Sequence, residues 1–253
     1  MATMNENETT SIICKDLPIY GHHSDPEWRI NFTLKPGEIG VLLDQDAFST
    51  VIKLMLGWEL YEHGKLTVFD ESWRPRMKSQ LPLSFHARIG HGGSNWGLLS
   101  HMSIRENIRL PTLFYQDLEI DEQYAAADHQ LRSWSIPNSY WDRPPSKVSP
   151  DIYKMSLLAR AVVCSPDLML LENPNLNLSS EQTLKLITWL DQQKESGRSI
   201  LIYTSNSILA AAIGDWFCQP STGKLTNNPQ EIFDSVWCDQ GKKILEKSQK
   251  EHN

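Results

Sequence analysis

No stretch of the sequence approaches the roughly 18 to 20 uninterrupted apolar residues of a spanning helix, so a chain that does not cross a membrane is expected. The opening MATMNENETT lacks the basic and apolar regions of a secretory leader, and a cytosolic location is expected with it. Cysteine is scarce: Cys14, Cys164, Cys218 and Cys238 show no CxxC or zinc-type spacing, which argues against a disulfide framework and a structural metal. Two of them sit in apolar runs, where a reduced thiol packs as a small hydrophobe. Lysine and arginine, 24 in all, are outnumbered by 31 acids, and a net charge of −7 leaves no dense cationic surface for DNA or RNA. A G-x-S-x-G elbow is missing, which removes the usual serine-hydrolase arrangement. His22 and His23 fall in a polar, turn-like stretch, and His86, His91 and His101 lack ligand-like spacing, so solvated loop histidines are expected rather than a metal site.

What is present is an ordinary globular composition, 40% apolar and 22% charged over 253 residues, enough for one domain with a subdomain. Residues 1–10 are polar and read as a disordered end; residues 226–253 read as an extension. The tail GKKILEKSQKEHN carries only a weak apolar stripe and reads as a solvated helix or an unstructured end. Between the two ends, short apolar runs at Ile39–Leu43, Leu168–Leu171 and Ile200–Tyr203 predict buried strands, each followed by a polar junction and a segment of helical periodicity. That alternation predicts an α/β parallel sheet.

Helix starts carry their own markers. Ser103 with Glu106, and Ser179 with Gln182, have the spacing of capping boxes. Ser149 precedes Pro150, which suits a cap followed by the first helical position, and Ile152, Met155, Ala159 and Val162 then recur at core-facing intervals. The stretch from about Gly90 to Val148, punctuated by Pro111, Pro137, Pro144 and Pro145, reads as a helical insertion between strands.

Taken in order, LKPGEIGVLL, STVIKLMLG, GLLSHMSIRENIRLP, LLARAVVCSPDLMLLENP and ILIYTSN resemble the successive landmarks of an ABC-transporter ATP-binding subunit. The segment Trp96–Pro111 further resembles ATPases of the MCE-type lipid transporters. This resemblance implies a P-loop NTPase-like ABC ATPase fold over residues 11–225, with a mostly parallel sheet core and a helical subdomain at about 90–148.

Its motifs also set expectations for the chemistry. A phosphate loop of the form G-x-x-x-x-G-K-[ST] wraps phosphates with backbone N–H groups and meets them with a lysine. The corresponding stretch, Asp44 to Thr50, has no glycine or lysine, and Phe48 stands in the lysine's place beside the vestigial Ser49 and Thr50. Asp44 and Asp46 add carboxylates that would repel a polyanion. Where the family places an Asp for magnesium and a Glu for water, the chain has Glu172 and Asn173, and an amide cannot accept a proton as a carboxylate does. Ser205 replaces the switch histidine, Ser179 the D-loop aspartate, and Ser94 the glutamine that senses metal and water. Tyr20 marks the adenine-stacking position. In the signature counterpart Ser149 is kept, while Pro150 removes a donor and Asp151 adds a negative charge; Ser149 reads better as a plain cap, and Glu172 as a carboxylate capping nearby backbone.

From these substitutions a non-enzyme is expected: a pseudo-ATPase lacking the phosphate-loop Lys and the catalytic Glu, with no cofactor unless a partner subunit binds ATP and magnesium. The expected role is a peripheral subunit on the cytosolic face of a permease, paired with an active ABC ATPase paralogue or with itself, in transport that includes lipids as a cargo class. Trp96, Leu98, Leu99 and Met102 are the candidates for permease docking, with core burial an equal alternative for each. The competing role is a soluble regulatory or scaffolding protein outside transport.

Overall fold

The structure, a computed structural model, describes residues 10–19, 28–59, 63–73, 82–93 and 97–250. Its centre is a six-stranded sheet in the order β10-β9-β3-β8-β7-β6, formed by β3 (Ile39–Leu42), β6 (Ile89–Gly92), β7 (Leu168–Glu172), β8 (Ser199–Tyr203), β9 (Trp216–Gln219) and β10 (Lys224–Thr226). All pairings are parallel except that of β10 with β9. The three strands expected from apolar runs are therefore β3, β7 and β8. Their side chains alternate between two cores, as a strand covered on both faces requires. Met169, Leu171, Ile200 and Ile202 enter one cluster, and Leu168, Leu170 and Leu201 the other.

The second cluster is closed by an antiparallel sheet in the order β2-β1-β4-β5, from β1 (Ile12–Ile19), β2 (Trp28–Leu34), β4 (Lys65–Val68) and β5 (Glu71–Trp73), together with α1 (Gln45–Met55). The first is closed by α3 (Ile104–Tyr115), α4 (Ile120–Ser133), α5 (Pro150–Val162) and α6 (Ser180–Glu195). α3 and α4 form the expected helical lobe. Ile152, Met155, Ala159 and Val162 all lie in the core. Both capping boxes close: Ser103 Oγ accepts from Glu106 N–H at 3.2 Å and Glu106 Oε2 from Ser103 N–H at 2.7 Å, and Ser179 and Gln182 repeat the exchange.

α5 leans so closely on β6 that only glycine fits at Gly90, where a Cβ would stand 1.9 Å from the Ala161 carbonyl oxygen. Because that obstacle is main chain, Gly90→Ala should destabilise by about 2 kcal/mol in chemical denaturation. A Gly92→Ala control, whose Cβ would meet only side-chain atoms at 3.3 Å and beyond, should cost less. Equal losses in the two variants would refute this account.

Of the two readings of the charged tail the helix is the one formed, docked along one side rather than solvated all round. The tail's residues 241–250 form the latter part of α8 (Ser235–Lys250), which packs on α6 and on α7 (Ser207–Ile213). Cys238, Gly241 and Ser248 are its buried residues. Gly241 sits against the Ala212 and Ile208 main chain, and Ser248 shares a 2.6 Å hydrogen bond with Thr188. Contact through small residues leaves little apolar stripe to read. α2 (Leu83–Ala87) completes the helices named here.

Candidate functional site

α1 starts directly after β3 at the carboxyl edge of the parallel sheet, beside the ends of β7 and β8, where open α/β sheets form their ligand crevices. Asp44 caps this helix, its carboxylate accepting the Ala47 N–H at 2.8 Å. Phe48 is 2% exposed and packs toward Tyr203, with ring centroids 6.2 Å apart. Thr50 is buried and Ser49 half-buried, both inside α1.

Glu172, at the end of β7, is 3% exposed. Its carboxylate accepts from the Gln45 amide at 2.7 Å. Its main-chain oxygen accepts from Lys154 Nζ at 3.1 Å. α1, β7 and α5 are thus tied by one chain of polar contacts. Burial lowers the Lys154 ammonium to about 8, against the raising influence of Glu172. Burial, then Asp44, Glu172 and Asp46, raise the Tyr203 phenol. Sequence reading missed Lys154 and Gln45; the only signal was a lysine interrupting the apolar face between Ile152 and Met155.

Two positions singled out from the sequence meet here. Asn173, in the left-handed region at φ 43°, donates its N–H to the Tyr203 carbonyl at 2.7 Å. Its side-chain oxygen accepts from the Ser205 N–H at 2.9 Å and hydroxyl at 3.2 Å.

Ser149, Asp151 and Ser179 form a separate corner where α5 and α6 begin. Ser149 occupies the cap position with Pro150 behind it, but makes no side-chain cap bond to the backbone. Instead its hydroxyl donates to the Asp151 carboxylate, which also accepts from Gln182 Nε2 at 2.8 Å. The reading of Ser149 as a plain cap is corrected accordingly: the carboxylate two residues on accepts both the Ser149 hydroxyl and the first-turn backbone N–H groups of Asp151 and Ile152 that a cap would have satisfied. The Ser149 bond, and then that of Gln182, lower the Asp151 carboxyl.

The docking candidates separate. Leu98 is 8% exposed within the first core cluster, so it leaves the surface set, while Leu99 is exposed and Met102 half-buried. Asn107, fully buried, organises this loop: Leu99 N–H donates to its Oδ1 at 2.7 Å, and its Nδ2 donates to the carbonyls of Leu99, Ser103 and Met102 at 3.0, 2.9 and 3.3 Å. Alongside lies a cavity of about 310 Å³ between β6, the second half of α3 and the end of α5, walled by Leu110, Pro111 and Phe114. Arg160, at its side, donates to the Gly97 carbonyl at 3.0 Å. Burial, then Arg160, hold His91 in the wall down near 4. Tyr20, Ser94 and Trp96, like His22 and His23, lie outside the described residues. The four cysteines are free thiols.

The family profile for ABC transporters matches residues 29–175. Among curated proteins, the Fe(3+) ions import ATP-binding protein FbpC of Fusobacterium nucleatum is 23% identical over 209 residues, covering 81% of this chain. The chain spans little more than half of that relative, 54% of its length. Among solved structures, the ATP-binding cassette MJ0796, dimeric and in a post-hydrolysis state bound to ADP and Pi, superposes with a TM-score of 0.72 at 16% identity, over 85% of this chain and 97% of that one. The cbiO1 subunit of Clostridium perfringens, part of the ABC transporter complex cbiONQ, gives 0.72 at 20% identity, over 97% and 100%. These likenesses establish the α/β fold expected from the sequence.

The same findings correct one expectation. The matched range takes in Asp44–Thr50 and Leu168–Pro174, the two stretches from which a non-enzyme was inferred, and FbpC is named an ATP-binding protein. The pseudo-ATPase reading is withdrawn, and the residues at Phe48, Glu172 and Asn173 carry no conclusion about activity.

Proposed function

The chain belongs to the ABC transporter family, and we propose that it is the cassette subunit of an import complex, held on the cytosolic face of a permease and paired with a second cassette. Import is taken from FbpC, named for the import of ferric ions. Among the described residues no helix is long and apolar enough to cross a membrane, and in this reading another subunit supplies the membrane-spanning part. The resemblance of Trp96–Pro111 to MCE-type ATPases supports lipid as a cargo class.

One observation carries the docking side of the reading: the tip of the α3–α4 hairpin. Phe114 and Ile120 are 60% and 58% exposed there, with Leu113 and Tyr115 also exposed, and Phe114 and Tyr115 line the 310 Å³ cavity. Exposed Asp117, Glu119, Asp121 and Glu122 form an acidic collar around them. Cytosolic loops of membrane proteins are enriched in lysine and arginine. An apolar knob with a carboxylate rim fits such a basic, amphipathic loop, and Leu99 with Met102 extends the contact from the neighbouring loop. The docking seat thus centres on Phe114, with Leu98 acting from behind as packing.

In the proposed pair ATP is bound, as the name of the relative FbpC suggests, and the corner of Ser149, Pro150 and Asp151 faces the partner across the interface.

The test is affinity capture of the tagged chain from detergent-solubilised membranes of its own cells. A polytopic permease and a second cassette protein should be recovered. Phe114→Glu combined with Leu113→Glu, both at exposed positions, should weaken recovery of the permease about tenfold while the variant stays folded. Capture of neither protein with the native chain, or undiminished capture with the variant, would sink the proposal.

A further inference from the structure

We propose that the pocket where the loops after β7 and β8 meet the start of α8 is a binding site for a small neutral sugar. The inference stands independently of the transport reading. The pocket has a volume of about 400 Å³, within the span typical of small-molecule sites. Asn173, Asn175 and Asn177 line it from the first loop, Asn206 and Ser207 from the turn into α7, and Trp237 from α8. None of the described lining residues carries a charge.

Three of the amides are held one way round. Asn173 Oδ1 accepts from the Ser205 N–H at 2.9 Å and hydroxyl at 3.2 Å, Asn206 Oδ1 from the Leu209 N–H at 2.9 Å, and Asn175 Oδ1 from the Thr204 hydroxyl at 3.4 Å. With its oxygen engaged inside the chain, each amide keeps its NH2 end for another acceptor, and none of the described residues accepts from it. Asn177 and Ser207 have no side-chain partner among the described residues. The wall therefore holds an excess of uncharged donors, and a ligand that matches it is rich in acceptor oxygens.

Charge separates the oxygen-rich ligands from one another. A phosphate or carboxylate would give up its water for a wall without a cation, on a chain whose net charge is −7. Sugar hydroxyls make the same hydrogen bonds without that cost. Trp237, 43% exposed, supplies the other half of the recognition, an indole to cover the C–H face of a sugar ring. Leu176 and Ile208 extend the apolar part of the lining. The hydroxyls thus meet the two asparagine-bearing loops, and the ring meets α8.

The experiment is ligand-observed NMR and calorimetry of the full chain with glucose, galactose, mannose and maltose, and with glucose 6-phosphate as the charged counterpart. At least one of the four neutral sugars should bind with one-to-one stoichiometry, and more tightly than glucose 6-phosphate. Trp237→Ala, at an exposed position, should weaken that sugar about tenfold. Asn175→Asp and Asn206→Asp keep the oxygens that accept from Thr204 and Leu209 and lose only the NH2 groups, so each should stay folded and bind the sugar several-fold more weakly. Binding of none of the four, tighter binding of glucose 6-phosphate, or sugar binding that survives either Trp237→Ala or both asparagine substitutions would overturn the proposal.

Discussion

Replacing Phe48 with alanine is expected to lower the unfolding free energy by about 3–5 kcal/mol, the loss found when a fully buried phenylalanine is truncated. The ring is 2% exposed in the second core cluster, near Val51, and it faces Tyr203. Typical domains have about 5–15 kcal/mol to spare, so the variant should unfold at a much lower urea concentration with little change in slope. Phe48→Leu keeps most of the volume and should cost less than half as much. Phe48→Lys would place an ammonium among apolar side chains and should be the most damaging of the three. The position is therefore one of packing in this chain. A loss below about 1 kcal/mol for the alanine variant would show that the ring is not held as described.

The second large effect is a pH dependence at Lys154. Its folded value is lowered from 10.5 to about 8 by burial. Between those two values the unfolded chain keeps a proton that the folded chain has released, so this group makes stability rise with pH across that window. Below the window both states are charged and the full cost of burial is present; above it the cost is gone. With one unit worth about 1.4 kcal/mol, the gain across the window is about 3 kcal/mol. Lys154→Met removes the titration but leaves the Glu172 carbonyl without its 3.1 Å donor, so the variant should gain only about 1–2 kcal/mol at neutral pH. That advantage should shrink and then reverse as pH climbs through the window. Parallel stability profiles for the two proteins, measured by denaturant at several pH values, would remove Lys154 as the titrating group.

Legibility in the sequence followed the range of the interaction. The three central strands were visible because each is apolar on both faces, and the two capping boxes because both partners lie three residues apart. Ser149 failed as a cap although its spacing was right: Asp151, equally local, is the stronger acceptor for the first-turn N–H groups that the serine oxygen would have taken. The site itself is built from contacts that no spacing announces. Gln45 meets Glu172 across 127 residues of sequence, and Lys154 reaches the end of β7 from within a helix that otherwise reads as core. The same holds for the tail, where Gly241 and Ser248 pack without any apolar signature. The inference about activity failed differently. It weighed side chains one at a time, whereas the match over residues 29–175 rests on the whole pattern around them.

The hold of Asn107 on its loop has a mechanical consequence. With both sides of the Leu99 peptide and two further carbonyls fixed to one buried amide, the turn from Leu99 to Ser103 has no freedom to flex against α3. A push delivered at the outer end of that helix is consequently not absorbed locally. It is passed on through the turn, so that the loop and α3 move as one piece.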